Sequence, residues 1–109
     1  MLRIHYKGRP DLVLICLDRR SLEGANLSRA YLRGATLRDA SARGAVLHEA
    51  ILVEADLAGA DLRDADLRGA NLARAELAGT VLIGATYDGS TVWPDDYDPG
   101  SHGARRVVS

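Results

Sequence analysis

Alanine recurs at every fifth position from Ala25 to Ala75, and a leucine follows two residues later except at Ala42. An α-helix has 3.6 residues per turn, so apolar residues five apart would spiral around it rather than form one face. Many pentads also carry a glycine two residues after the leucine position, and each would cost about 1 kcal/mol inside a helix. In an extended chain, residues two apart point to the same side. The period therefore predicts extended pentads whose alanine and leucine face inward together.

A five-residue unit cannot bury an apolar face alone, so the pentads must coil and stack. Residues one coil apart lie side by side on neighbouring strands, where opposite charges stabilise and like charges destabilise. Spacings of 15 and 25 residues bring more like charges together than a spacing of 20 does. At a spacing of 20 the oppositely charged pairs are Asp18 and Arg38, Arg19 and Asp39, Glu23 and Arg43, Arg29 and Glu49, Glu54 and Arg74, and Arg68 and Asp88. Charge therefore favours four pentads per coil and a square cross-section.

Units such as Ala55–Gly59, Ala60–Asp64 and Ala70–Arg74 resemble the A(D/N)LXX repeats of the pentapeptide repeat proteins. The resemblance covers residues 11–92. It implies an all-β fold, a right-handed quadrilateral parallel β-helix, which agrees with the coil length that the charges favour. At 20 residues per coil, this stretch makes about four coils.

Both ends of such a solenoid expose unpaired strand edges that need covering. Residues 1–10 alternate apolar and polar side chains and are predicted to form an N-terminal arm or cap. Residues 93–109 are predicted to form a C-terminal cap, with Tyr87 and Trp93 as hydrophobic lids and the prolines ending the pairing. From Gly100 onward we expect a flexible tail.

Composition narrows the classes of function. A formal net charge of -1 argues against direct nucleic-acid binding. The first residues lack the apolar core of a signal peptide, and no stretch approaches the roughly 18 apolar residues of a membrane span. The single cysteine, Cys16, gives no disulfide framework. We therefore expect a cytoplasmic protein, and the excess of arginine over lysine suggests a bacterial source.

The sequence contains no recognisable catalytic constellation. His5, His48 and His102 are far apart and match no metal-ligand spacing with Cys16, while the acidic residues occupy regular outward positions. The glycines follow the repeat instead of forming a phosphate-binding loop. We expect no enzyme activity, no cofactor, no metal and no catalytic residue.

One side of the predicted coil carries apolar residues where polar ones belong. Val13 and Leu14 begin this column, and the candidate interface residues are Tyr31, Ile51, Val53, Ala73 and Trp93. Either an arm of the same chain, 1–10 or 93–99, folds over the column, or the column contacts a protein partner or a second copy. The sequence does not identify the partner.

Some members of the family that the repeats resemble protect DNA gyrase by imitating duplex DNA with an acidic surface. Here residues 51–92 carry seven acidic residues against three arginines, and the candidate mimic residues are Glu54, Asp56, Asp61, Asp64, Asp66 and Glu76. Residues 11–50 are not acidic on balance, the stack is short, and the chain has no phenylalanine. Because of the acidic excess in residues 51–92, a gyrase-binding DNA mimic is the alternative function.

Ala42 stands where the repeat places a leucine, between Leu22 and Leu62 in the predicted inner column. We expect a void or a local narrowing of the coil there. Replacement of Ala42 by leucine is predicted to stabilise the protein if the void is present.

Overall fold

The computed structural model describes the backbone of residues 2–6 and 9–16 and the complete residues from 22 to 108. Strand β1 (Leu2–Tyr6) pairs antiparallel with β2 (Arg9–Cys16), with Ile4 opposite Leu14. The backbone of residues 11–16 thus lies in a hairpin with the predicted arm, although the period placed it in the first pentads. The run from Leu12 to Ile15 is apolar without a turn residue, which suits an uninterrupted strand. The side chains of Val13, Leu14 and the arm lie outside the described residues.

Parallel bridges join residues 20 positions apart throughout the repeat. They form four columns of outward residues, each preceding the leucine position of its pentad: Asn26, Val46, Asp66 and Thr86; Tyr31, Ile51 and Asn71; Thr36, Asp56 and Glu76; Ser41, Asp61 and Val81. Backbone hydrogen bonds repeat along each column, as in Leu32 N–H to Ile51 O at 2.8 Å and Leu52 N–H to Asn71 O at 2.8 Å. Four pentads therefore separate neighbouring strands, as the charge pairs predicted.

Each pentad turns its corner with a hydrogen bond from the next alanine N–H to the leucine carbonyl, as in Ala35 to Leu32 at 3.0 Å. The third residue of the turn has a positive φ, +68° at Gly34 and +60° at Glu54. This is the position that favours glycine in type II turns. At Gly59 a Cβ would also meet the Asp39 carboxylate, so a larger residue there would have to displace that side chain. The glycines of the repeat thus belong to its corners.

Alanine and leucine form the core, as the period predicts. Leu32, Leu52 and Leu72 are at most 2 % exposed, and the intervening alanines are buried with them. A small internal void of about 10 Å³ lies beside Ala42, between leucines that include Leu22 and Leu62. The Ala42 N–H still bonds the Asp61 carbonyl at 2.8 Å, so the backbone register continues unchanged past the missing leucine.

The regular period ends at residues 88–91, where one extra residue enters the coil. Val92 pairs with Asn71 at a spacing of 21, which places Trp93 in register with the inner residue Leu72. The Thr91 hydroxyl donates to the Leu67 carbonyl at 2.9 Å, as the Thr80 hydroxyl does to Leu57 at 2.7 Å. Thr91 therefore occupies an alanine position. Counting in fives from Leu72 would put residues 87 and 92 in leucine positions, but Val92 is 44 % exposed.

The last residues return to the repeat. Strand β3 (Thr86–Tyr87) pairs in parallel with β4 (Arg105–Arg106). A short 3-10 helix at Gly100–His102 precedes β4. Ala104 is buried, and Arg105 N–H bonds the Ala85 carbonyl at 2.7 Å. The sequence suggested a flexible tail here. The structure instead continues the ladder, because Ala104 and Arg105 reproduce the alanine and outward positions of a pentad.

Candidate interaction surfaces

The apolar column contains two well-exposed side chains on adjacent strands. Tyr31 is 62 % exposed and Ile51 38 %, and the two residues are paired in the ladder. Val53 and Ala73 are half-buried on the same side of the coil. The structure thus brings these four candidate residues together, on backbone fixed by hydrogen bonds to the neighbouring coils.

Charged residues border this column. The Glu54 carboxylate accepts a hydrogen bond from Arg33 at 3.1 Å and lies 3.5 Å from Arg74. The hydrogen bond to Glu54 raises the pKa of the Arg33 guanidinium above its ordinary value. An apolar centre with a charged rim is the usual anatomy of a protein contact surface.

Trp93, the fifth candidate, lies in the C-terminal cap. It packs half-buried against the core, with its ring edge-on to Tyr87 at 5.4 Å and stacked on Tyr97 at 5.5 Å. Tyr97 in turn stacks on His102 at 4.8 Å. The extra residue before Thr91 turns Trp93 from the outward column to the inner one. Its geometry is that of the lid that the sequence also suggested.

The cap buries two polar atoms that have no hydrogen-bond partner among the described residues, Trp93 Nε1 and the Tyr97 hydroxyl. Burial raises the pKa of the Tyr97 hydroxyl above its ordinary value.

Most of the candidate DNA-mimic carboxylates are held by arginines. Asp61 contacts Arg43 at 2.6 Å and Arg63 at 3.0 Å, and Asp66 contacts Arg68 at 2.8 Å. The Arg63 hydrogen bond is the main reason that the pKa of Asp61 lies well below its usual range, and Arg43 lowers it further.

Two other candidates follow the same pattern. Asp56 pairs with Arg38 at 3.1 Å, and Glu54 pairs with Arg33 and Arg74. Within residues 22–108, Asp64 and Glu76 have no ion pair. Arginine therefore offsets much of the acidic excess that the sequence shows.

The histidines are not brought together. His48 lies 3.6 Å from Glu49, whereas His102 belongs to the aromatic stack of the cap. The side chains of His5 and Cys16 lie outside the described residues. No group of three potential metal ligands occurs among the residues that the structure describes. In the same part of the chain, no helix is long and apolar enough to cross a membrane.

Sequence reasoning missed the polar cluster around Asp88. This carboxylate is only 5 % exposed and accepts hydrogen bonds from the Ser90 hydroxyl at 2.7 Å and the Gly69 N–H at 3.2 Å. Both contacts lower the pKa of Asp88, with the Ser90 hydroxyl as the larger cause. The sequence does contain a sign of this cluster. Thr91, which occupies an alanine position, follows Ala85 by six positions, whereas the period requires five.

Sequence reasoning also missed a cleft at the C-terminal end of the repeat, of about 340 Å³. It lies between the pentad of residues 75–79 and the cap residues 94–97, with His102 beside it. No motif marks it, because its shape depends on the path of the chain after Pro94.

Comparison with known proteins gives one consistent result. The sequence profile for pentapeptide repeats, with eight copies, matches residues 25–64 and 50–86. A pentapeptide repeat protein of the cyanobacterium Cyanothece, Rfr23, is 38 % identical over 64 % of this chain, with a TM-score of 0.53. This chain spans 54 % of the length of Rfr23.

Two further solved structures are also of pentapeptide repeat proteins. One from Nostoc is 35 % identical, with 79 % of each chain covered and a TM-score of 0.49. One from the thylakoid lumen of Arabidopsis thaliana is 27 % identical, with 80 % of this chain and 65 % of that chain covered and a TM-score of 0.37. Among functionally curated proteins, none has significant sequence similarity to this chain.

Proposed function

The chain belongs to the pentapeptide repeat proteins, and from this premise we propose that it is a noncatalytic interaction module. Family membership implies a right-handed quadrilateral β-helix, and we propose about four coils between its N-terminal and C-terminal capping segments. The contact surface that we propose is the column of Tyr31, Ile51, Val53 and Ala73. Its occupant is a protein partner or a second copy of the chain, in the cytoplasm and without a cofactor.

The observation that carries this proposal is the exposure of Tyr31 and Ile51 on adjacent strands. Tyrosine is enriched in interfaces because it buries a large area with few rotatable bonds. The ladder fixes both backbones before any contact forms, so little conformational entropy is lost on this side of the interface. A noncatalytic role is supported by the regular outward placement of the carboxylates, which arginines hold along the coil.

The test is replacement of Ile51 by aspartate, with Ile83→Asp as its matched control. Ile83 is 61 % exposed, against 38 % for Ile51, and lies in a different pentad column, so the control adds the same charge at a more open site. We expect Ile51→Asp to abolish retention of the partner, or self-association measured by light scattering, without lowering the melting temperature by more than the control does. Equal retention by both variants would contradict the proposal.

The alternative, a DNA mimic that binds DNA gyrase, is supported by the acidic excess of residues 51–92. Asp64 and Glu76 remain available for it, since neither has an ion pair among the described residues. Arginines pair with Asp56, Asp61 and Asp66, and these ion pairs make the acidic surface less similar to a row of phosphates. We therefore place this function second.

A further inference from the structure

The cleft at the C-terminal end of the repeat, here called the cap cleft, is lined on one side by residues 75–79 and on the other by residues 94–97 and His102. Its repeat side is the last pentad of the column formed by Thr36, Asp56 and Glu76. The cap cleft is therefore the place where a further strand of this column would lie.

The strand edge that faces the cap cleft is unpaired. In a regular pentad, the N–H of the leucine and the N–H of the third turn residue each donate a hydrogen bond to the next coil. Leu57 and Gly59 donate in this way to the carbonyls of Glu76 and Ala78, at 2.9 Å each. The described residues supply no backbone partner for Leu77 N–H or Gly79 N–H. By contrast, the cap pairs one of the two corresponding N–H groups at the end of each neighbouring column.

Those neighbouring columns show what the cap does elsewhere. Leu72 N–H bonds Val92 O at 2.7 Å, and Gly84 N–H bonds Gly103 O at 3.0 Å. Beyond Trp93 the chain turns away, because Pro94 has no N–H and its carbonyl accepts from Tyr97 N–H at 3.2 Å. The cap cleft is the part of the coil that this turn leaves uncovered.

The cap cleft is acidic. Glu76, Asp95 and Asp96 are exposed along it, and the described residues give none of them an ion pair. An occupant that completes the ladder should therefore have an extended backbone and carry positive charge.

The N-terminal segment of the same chain has this chemistry. Residues 1–10 contain Arg3, Lys7 and Arg9 and no acidic residue. Their strand β1 pairs with β2 along one edge, and no described residue pairs with its other edge. An unpaired edge of this kind accepts a further strand.

We propose that the cap cleft binds the N-terminal segment of a second copy, with β1 adding a strand to the edge of residues 75–79. The contact joins unlike surfaces, the C-terminal end of one copy and the N-terminal segment of the next. Such a head-to-tail contact joins successive copies into open chains, or into a ring where the rotation between copies closes, and the assembly grows with concentration. It uses a different surface from the apolar column and does not depend on the function proposed for that column.

The test uses a fluorescent peptide of residues 1–10 and the full-length protein. We expect saturable binding by anisotropy with a Kd below about 1 mM. Asp95→Lys should weaken binding about tenfold, because it places a cation against the basic segment. The matched control, Glu23→Lys, makes the same charge change far from the cap cleft and should bind normally, as should Ile51→Asp.

A second measurement identifies the occupant. Light scattering in an Ile51→Asp background, which disables the apolar column, should show a mass that rises with concentration, and addition of Asp95→Lys should suppress that rise while leaving the melting temperature unchanged. A peptide that fails to bind, or that binds Asp95→Lys as tightly as wild type, would overturn the cap cleft as the site. A protein that stays monomeric at every concentration would overturn the second copy as its occupant.

Discussion

Replacement of Ala42 by leucine tests whether the interrupted inner column leaves recoverable space. The void beside Ala42 is about 10 Å³, close to the smallest cavity that holds one water molecule. Leucine adds three carbon atoms, with a gross burial gain of about 2.4 kcal/mol at ~0.8 kcal/mol each. Filling the void itself adds only about 0.2 kcal/mol at ~24 cal/mol per Å³.

Two costs reduce that gain. Ordering the leucine side chain costs about 0.5–1 kcal/mol. The remaining atoms fit only if neighbouring leucines, such as Leu22 and Leu62, change rotamer. Because the backbone at Ala42 keeps the register of a leucine position, we expect this repacking to succeed and the net stabilisation to be about 1 kcal/mol. In a domain of this size, that corresponds to a rise in melting temperature of about 4–8 °C.

The assay is urea unfolding followed by circular dichroism, with Ala45→Leu as the matched control. Ala45 is fully buried three residues further on, in the alanine column, and does not line the void. There the same substitution should overpack the core and destabilise it by about 1–3 kcal/mol. If Ala42→Leu also lowers stability, the neighbouring leucines have filled the vacant position and the account of the void is wrong.

Three further predictions concern polar groups and the alternative function. Thr80→Val removes the hydroxyl that donates to the Leu57 carbonyl and should cost about 1 kcal/mol in urea unfolding; an unchanged midpoint would contradict that role. Asp61→Asn should lower stability by about 0.5–1 kcal/mol at pH 7, since the pKa of Asp61 is depressed when folded. The stabilisation is present above the unfolded pKa, near 4, and is lost as pH falls towards the folded pKa. The unfolding free energies of wild type and Asp61→Asn should therefore converge in acid, and a difference that does not change with pH would refute the linkage. A DNA mimic should inhibit or protect gyrase in a supercoiling assay, and no effect at saturating protein removes that function.

The five-residue period predicts the inner and outward positions well because each pentad repeats the same backbone geometry. Tyr31 and Ile51 could be placed in one column from their spacing alone. The period fails where a hydrogen bond replaces packing: the Thr91 hydroxyl bonds the Leu67 carbonyl and lets threonine occupy an alanine position after one extra residue. Counting in fives past that point misplaced Val92 and turned Trp93 to the wrong side.

Two other features depend on three-dimensional contacts that no local pattern encodes. The cap cleft exists because the chain turns after Pro94 and leaves Leu77 and Gly79 unpaired. Asp61 is neutralised by Arg63 of its own pentad and also by Arg43 from the adjacent coil, a contact that no local pattern encodes. The acidic excess of the sequence therefore overstates the acidity of the surface.

Every assignment of a side chain to a column rests on the register of 20 residues, and disulfide formation tests that register directly. In a Cys16→Ser background, Thr36→Cys with Asp56→Cys places two thiols on paired positions of adjacent strands, within reach of a disulfide. Thr36→Cys with Ile51→Cys separates them by 15 residues, onto different columns. The account predicts rapid intramolecular oxidation of the first pair only, read as loss of free thiol in monomeric protein. Preferential oxidation of the second pair would contradict the four-sided coil and every surface assigned from it.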